Sequence, residues 1–141
     1  MPLTSALLVI GALLAAAIVA GAVWRLQDGR RRRGTGTVDR SALGIRAEGV
    51  TLALFSTETC SRCPQVRRML QSIASAQPGV SVIDVDLTYR PDVAARYRVL
   101  STPTVFVIDA DAVVTARFVG VPRRTDVEAA LAPQPALQEA S

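Results

Sequence analysis

Histidine is absent from this 141-residue sequence, cysteine occurs twice, and all 16 basic side chains are arginines. Without imidazole, a tetrahedral zinc site would need two chains or an unusual carboxylate set, because two thiolates fill half of its positions. Internal repeats are lacking too. Acidic charge is sparse in one region only. Residues 1–46 hold seven arginines against Asp28 and Asp39, a net +5, whereas residues 47–141 hold nine arginines against ten acids, a net −1. The excess of positive charge therefore belongs to the N-terminal third, and the remainder carries no nucleic-acid footprint.

Charge is missing altogether from Leu3 to Trp24, 22 residues rich in Leu, Ala, Val and Ile. As a helix this stretch spans roughly 33 Å, about the hydrocarbon thickness of a bilayer. It reads as a transmembrane helix within residues 1–24. A cleaved signal peptide and a buried helix are the alternatives, but Met1 to Ser5 lacks the basic side chains that precede a signal core, and a charge-free segment of this length is longer than most core helices. Arg25 and the run Arg30 to Arg33 follow directly, which by the positive-inside rule turns the rest of the chain to the cytoplasm, with Trp24 in the aromatic belt. The expected localisation is the cell membrane, single-pass. Arg30 to Arg33 are read as contacts to lipid headgroups rather than as a nucleic-acid patch. Residues 25–46, with Gly29, Gly34 and Gly36, read as a basic flexible linker ending in a short strand near Ile45.

Half of the residues are hydrophobic, enough for one packed domain, placed at residues 47–132. Val50 to Phe55 is an apolar run of strand length. Val66, Met69, Leu70 and Ile73 then fall on one helical face, giving a helix from Ser61 to about Ala76. A turn at Pro78-Gly79, a strand Val80 to Leu87, a short helix from Pro91 to about Tyr97 and a strand Thr104 to Ile108 come next. A strand Val113 to Val119 follows, and Thr125 to Glu128 has capping-box spacing for a last helix to about Leu131. Residues 133–141 read as a disordered tail. The first two strands should pair in parallel around a helix, and the last two as an antiparallel hairpin.

The two cysteines, Cys60 and Cys63, stand at the change from strand to helix, with Thr59 or Ser61 as N-cap. Unpaired amides and the positive dipole end of the helix favour a thiolate at Cys60, and Cys63, one turn on, is placed to attack a mixed disulfide formed there. Arg62 between them adds positive charge. A purely structural disulfide across so short a loop would contribute little loop-closure entropy, so redox chemistry is the stronger reading.

Cys60-Ser61-Arg62-Cys63 after a strand, Ser101-Thr102-Pro103-Thr104 about 40 residues later, and Phe118-Val119-Gly120 before a last helix together resemble thioredoxin. The resemblance covers roughly Val50 to Leu131, and the whole layout resembles small membrane-anchored thioredoxin-like proteins of actinobacteria. It implies an α/β fold: a thioredoxin-like mixed sheet of about four strands with flanking helices, preceded by one N-terminal transmembrane helix. It also implies a cis Pro103 packed beside the cysteines, a substrate chain paired with the backbone of Thr102, and Gly120 near the substrate groove. Read without it, Pro103 is an ordinary proline opening a strand and Gly120 a bulge.

The activity so implied is thiol–disulfide exchange. Cys60 acts as nucleophile and Cys63 as resolving thiol, Arg62, Thr102, Pro103 and Gly120 contact substrate, and no metal or organic cofactor is required. The expected partners are disulfide-containing proteins, a reductant such as a flavin-dependent thioredoxin reductase or a small thiol, and membrane lipids; no nucleic acid is expected. The sequence departs from the family where Leu54 replaces a buried acid, Asp84 a lysine, Thr59 a tryptophan, and Ser61-Arg62 a Gly-Pro pair. Glu58 or Asp84 is the candidate substitute carboxylate. Two alternatives stand beside a cytoplasmic reductant: a redox sensor or interaction module without turnover, and an extracytoplasmic exchange protein if the topology is reversed.

Overall fold

The computed structural model describes residues 3–27, 31–34 and 36–133; Arg30 and residues 134–141 of the expected tail lie outside them. The charge-free stretch is a single helix, α1 (Leu3–Gln27), apolar all round, with Leu7, Leu14, Ile18 and Trp24 exposed. By length and composition Leu3–Leu26 is fit to cross a bilayer.

The domain that follows is built on strands β1 (Arg31–Arg33), β2 (Val50–Ser56), β3 (Val80–Asp86), β4 (Thr104–Ile108) and β5 (Val114–Val119), in the order β1-β5-β4-β2-β3. Helices α2 (Arg40–Leu43), α3 (Cys63–Ala76), α4 (Pro91–Arg96) and α5 (Arg124–Leu131) accompany it. β2 and β3 run parallel across the α3 crossover, and β4 lies antiparallel to both β2 and β5. The four expected strands are all present. A fifth, β1, pairs antiparallel with β5 inside the stretch read as linker. Arginines carry no strand periodicity, so this pairing is decided by the open edge of β5 and not by local propensity. Within the same stretch α2 forms because the Asp39 carboxylate accepts the amides of Ser41 and Ala42 at 3.0 and 3.2 Å. Ile45 is buried in the loop after α2, without strand pairing.

Alternation along the strands divides the core between two faces. Leu52, Leu54, Val105, Val107, Ala116 and Phe118 pack with Val66, Leu70 and Ile73 of α3 and Val127 of α5. Ala53, Phe55, Phe106 and Ile108 pack with Leu43, Val93 and Val99 on the other face. Val114 breaks the alternation of β5 because a register shift at Val107/Ile108 inserts Thr115, and the bulge turns Val114 to the second face. Gly49 precedes β2 at φ +92, and a Cβ there would stand 2.4 Å from the Gly79 carbonyl oxygen that accepts the Val50 amide. α5 starts at Arg124, one residue before Thr125, with Arg123 at the N-cap position and no side-chain cap there, so the capping box is not formed.

Phe55 is fully buried, with the Phe106 ring 4.7 Å away edge-on and the Tyr97 ring at 6.5 Å. Phe55→Ala should therefore cost about 3–5 kcal/mol. Leu100→Ala, at a side chain 96 % exposed, should stay within about 0.5 kcal/mol of the parent. Urea unfolding of the detergent-solubilised chain, followed by circular dichroism, measures both.

Candidate functional site

Strand β2 ends at Ser56, and the chain turns before α3 starts. The Cys60 amide donates to the Thr57 carbonyl at 3.1 Å, and the Glu58 amide to the Thr88 hydroxyl at 2.9 Å. Thr88 is itself held by Asp86, whose carboxylate accepts its hydroxyl at 2.6 Å and its amide at 2.8 Å. Those two hydrogen bonds, the hydroxyl's first, hold the Asp86 carboxyl below its ordinary pKa. The loop in front of the helix is thus anchored to the end of β3.

Helix α3 begins at Cys63, two residues later than its apolar period suggests. Arg62 occupies the N-cap position without a side-chain cap bond there and Pro64 fills the first turn, so neither Thr59 nor Ser61 is the cap. Proline costs least there, because the first-turn amides have no partner within the helix. The cysteines are joined in a disulfide with a Cα–Cα distance of 5.5 Å. Cys63 is 1 % exposed and packs inward from α3, while Cys60 is half-buried and faces a cavity.

That cavity, about 370 Å³, brings together Cys60, Arg62, Thr102, Pro103 and Gly120. Cys63 lies behind it. The Thr102–Pro103 peptide is cis, and Pro103 is buried. Its carbonyl accepts the Gly120 amide at 2.8 Å, and the Thr57 and Thr102 hydroxyls are 3.3 Å apart. Gly120 stands at φ +84, a backbone region that side-chain-bearing residues rarely adopt, so the end of β5 turns into the site there. Thr57, Thr59, Ser61 and Ser101 also line the cavity. Sequence reasoning treated Thr59 and Ser61 as caps and passed over Thr57; the usable signal was adjacency to Cys60 and Pro103.

Leu54 is fully buried in the α3-facing core. Its partner in the β2–β3 register is Asp84, which accepts hydrogen bonds from the Ser56 hydroxyl and from Arg67 Nε, and forms an ion pair with Arg67. Glu58 is exposed. Among the described residues, no three His, Cys, Asp or Glu side chains are grouped to hold a metal ion.

The family described as thioredoxin domain matches residues 50–132. Thioredoxin of Methanocaldococcus jannaschii is 29 % identical over 76 residues, 53 % of this chain and 84 % of that protein. Thioredoxin of Chlamydia trachomatis is 34 % identical over 58 residues, 41 % and 57 % of the two chains. Among solved structures, a mutant thioredoxin of Halobacterium salinarum superposes with a TM-score of 0.56 at 19 % identity, covering 67 % of this chain and 83 % of its own. Oxidised mitochondrial thioredoxin 3 of Saccharomyces cerevisiae gives 0.52 at 21 % identity, with 60 % and 77 % covered. The family match leaves the first 49 residues outside it, so the likeness to anchored actinobacterial proteins rests on the sequence alone.

The Asp86 anchor carries a pH dependence with a definite sign. Because the native carboxyl is lowered, its contribution is complete above the unfolded value of about 3.9 and is lost as the pH falls through the native one. The stability gap between the parent and Asp86→Asn should be constant from about pH 5 to about 8 and close below about 4. Urea midpoints across that range test it.

Proposed function

The chain belongs to the thioredoxin family, and from that premise we propose that it is a membrane-anchored thiol–disulfide oxidoreductase working as a disulfide reductant at the cytoplasmic face. The observation that carries the reading is the pairing of a half-exposed Cys60 at an open cavity with an enclosed Cys63 bonded to it. In the reduced protein the Cys60 thiolate attacks one sulfur of a substrate disulfide, and the departing substrate sulfur takes up a proton. Cys63 then attacks the Cys60 sulfur of the mixed disulfide and releases the second substrate thiol. Two electrons and two protons pass to the substrate, and the Cys60–Cys63 disulfide is left for a reductase or a small thiol to reduce. Thr102, Pro103, Gly120 and Arg62 serve as the substrate-contacting wall. The cytoplasmic assignment is supported by Arg25 and the arginines after it, and in that compartment, which keeps thiols reduced, the pair works as a reductant.

A second reading, a redox sensor with little turnover, draws on one observation: Leu54 puts a fully buried apolar side chain where the family carries an acid.

Cys63→Ser should accumulate mixed disulfides with partner proteins in native membranes, and Cys60→Ser should not; non-reducing gels read the result, and the opposite pattern reverses the two roles. Glu58→Gln and Asp84→Asn test the substitute carboxylate. The variant lacking the working acid should move the pH profile of disulfide reduction, and two unchanged profiles would exclude both. A reporter fused after Ser141 should be active on the cytoplasmic side.

A further inference from the structure

The register of β1 sets which end of the domain meets the membrane. From Gln27, the last residue of α1, to Arg31, the first of β1, the chain takes four steps and reaches at most about 14 Å. Arg31 stands opposite Phe118 and Arg33 opposite Ala116, so the chain joins the sheet at the end where β5 runs out toward Gly120 and moves away from that end along β1. The row of Arg31 continues through Phe118, Val105 and Leu54. Three strand spacings of about 4.8 Å put Leu54 about 14 Å from Arg31 across the sheet. Beyond Leu54, at that same end, β2 delivers Ser56 and the loop to Cys60, and Gly120 and Pro103 complete the cavity. The opposite end holds the β4–β5 turn, where the Asp109 amide donates to Val113 at 2.9 Å and Thr37 bridges to Val113.

On this geometry we propose that the cavity of Cys60 is turned toward the bilayer, and that its substrates are disulfides in extended segments of membrane-anchored proteins, close to the point where those segments leave the membrane. The inference rests on the dithiol reading and on α1 spanning a membrane, and it holds for either orientation of the chain. A tether this short allows a gap of at most about 14 Å between the start of β1 and the end of α1. A folded soluble protein of about 100 residues has a radius of gyration of about 13 Å and does not fit that gap. An extended strand does. A substrate anchored in the same membrane also arrives at a raised effective concentration. The electron balance is that of the exchange above: the reduced dithiol is oxidised as the substrate disulfide is reduced.

The test uses the full chain, pre-reduced, in phosphatidylcholine vesicles, in single turnover. One probe is a transmembrane peptide with a disulfide loop a few residues beyond its apolar span. The second is the same peptide with the loop carried about 60 Å out on a helical spacer of about 40 residues. Cystamine is the soluble control. Reduction of the near loop should be at least about tenfold faster than of the far loop. Inserting about 30 Gly/Ser residues after Gln27 should abolish that preference and leave the cystamine rate unchanged. Equal rates on near and far loops, with cystamine reduced normally, would overturn this inference alone. Failure to reduce cystamine would overturn the dithiol reading and this inference with it.

Discussion

From Thr51 to Ser56 strand β2 has no residue more than 4 % exposed, and backbone groups without water must find their hydrogen bonds in the sheet. Such a strand is stable only with a neighbour on each side and a layer on each face. β3 and β4 supply the neighbours, and the helices supply the layers. The site is a consequence of that burial. β2 runs toward Ser56 and β4 runs back from Thr104, so the segment holding Cys60 and the segment holding Pro103 leave the sheet side by side. The Gly120 amide on the Pro103 carbonyl then draws the end of β5 to the same place.

What the sequence disclosed, and what it withheld, follows from where each decision is made. Thr104 to Ile108 reads as a strand and is one, because five consecutive buried positions leave no other use for so short an apolar run. The start of α3 was displaced because Thr59 and Ser61 are good capping types, yet the turn that bonds Cys60 to Thr57 uses that segment first. β1 was illegible. Nothing local to Arg31 to Arg33 favours a strand, and the cause lies about 85 residues away in the unpaired edge of β5. The cysteine pair was legible from residue chemistry, whereas the cis peptide at Pro103 and the place of Gly120 came only with the family resemblance.

Arginine has a structural task here that its charge conceals. Arg117 lies over the Phe106 ring at 5.0 Å and donates to the carbonyls of Tyr97 and Arg98. Arg40 donates to the carbonyls of Ala47 and Ala110, and Arg90 to that of Ala42 at 2.9 Å. The guanidinium fork can satisfy several loop carbonyls at once while its stem covers apolar surface, which an ammonium does less well. These contacts tie α2 and the loop after α4 to the sheet face opposite α3, across sequence separations of up to 70 residues. Net charge is therefore a poor guide to partners in this domain, since Arg40, Arg90 and Arg117 donate to the protein's own backbone and Arg67, Arg96 and Arg124 pair with its carboxylates.

Leu54, where the resemblance to thioredoxin implies a buried acid, spares this layer of the core a desolvation penalty. A carboxylate at that position would sit in a fully enclosed apolar layer with Val66 and Leu70, where ionisation is opposed by desolvation. Leucine removes that penalty and contributes its own burial. One strand outward, on the edge strand β3, the partly exposed Asp84 accepts hydrogen bonds from Ser56 and Arg67 and pairs with Arg67. Arg67 stands one helical turn beyond Cys63, so the ion pair lies along the same side of α3 as Cys63.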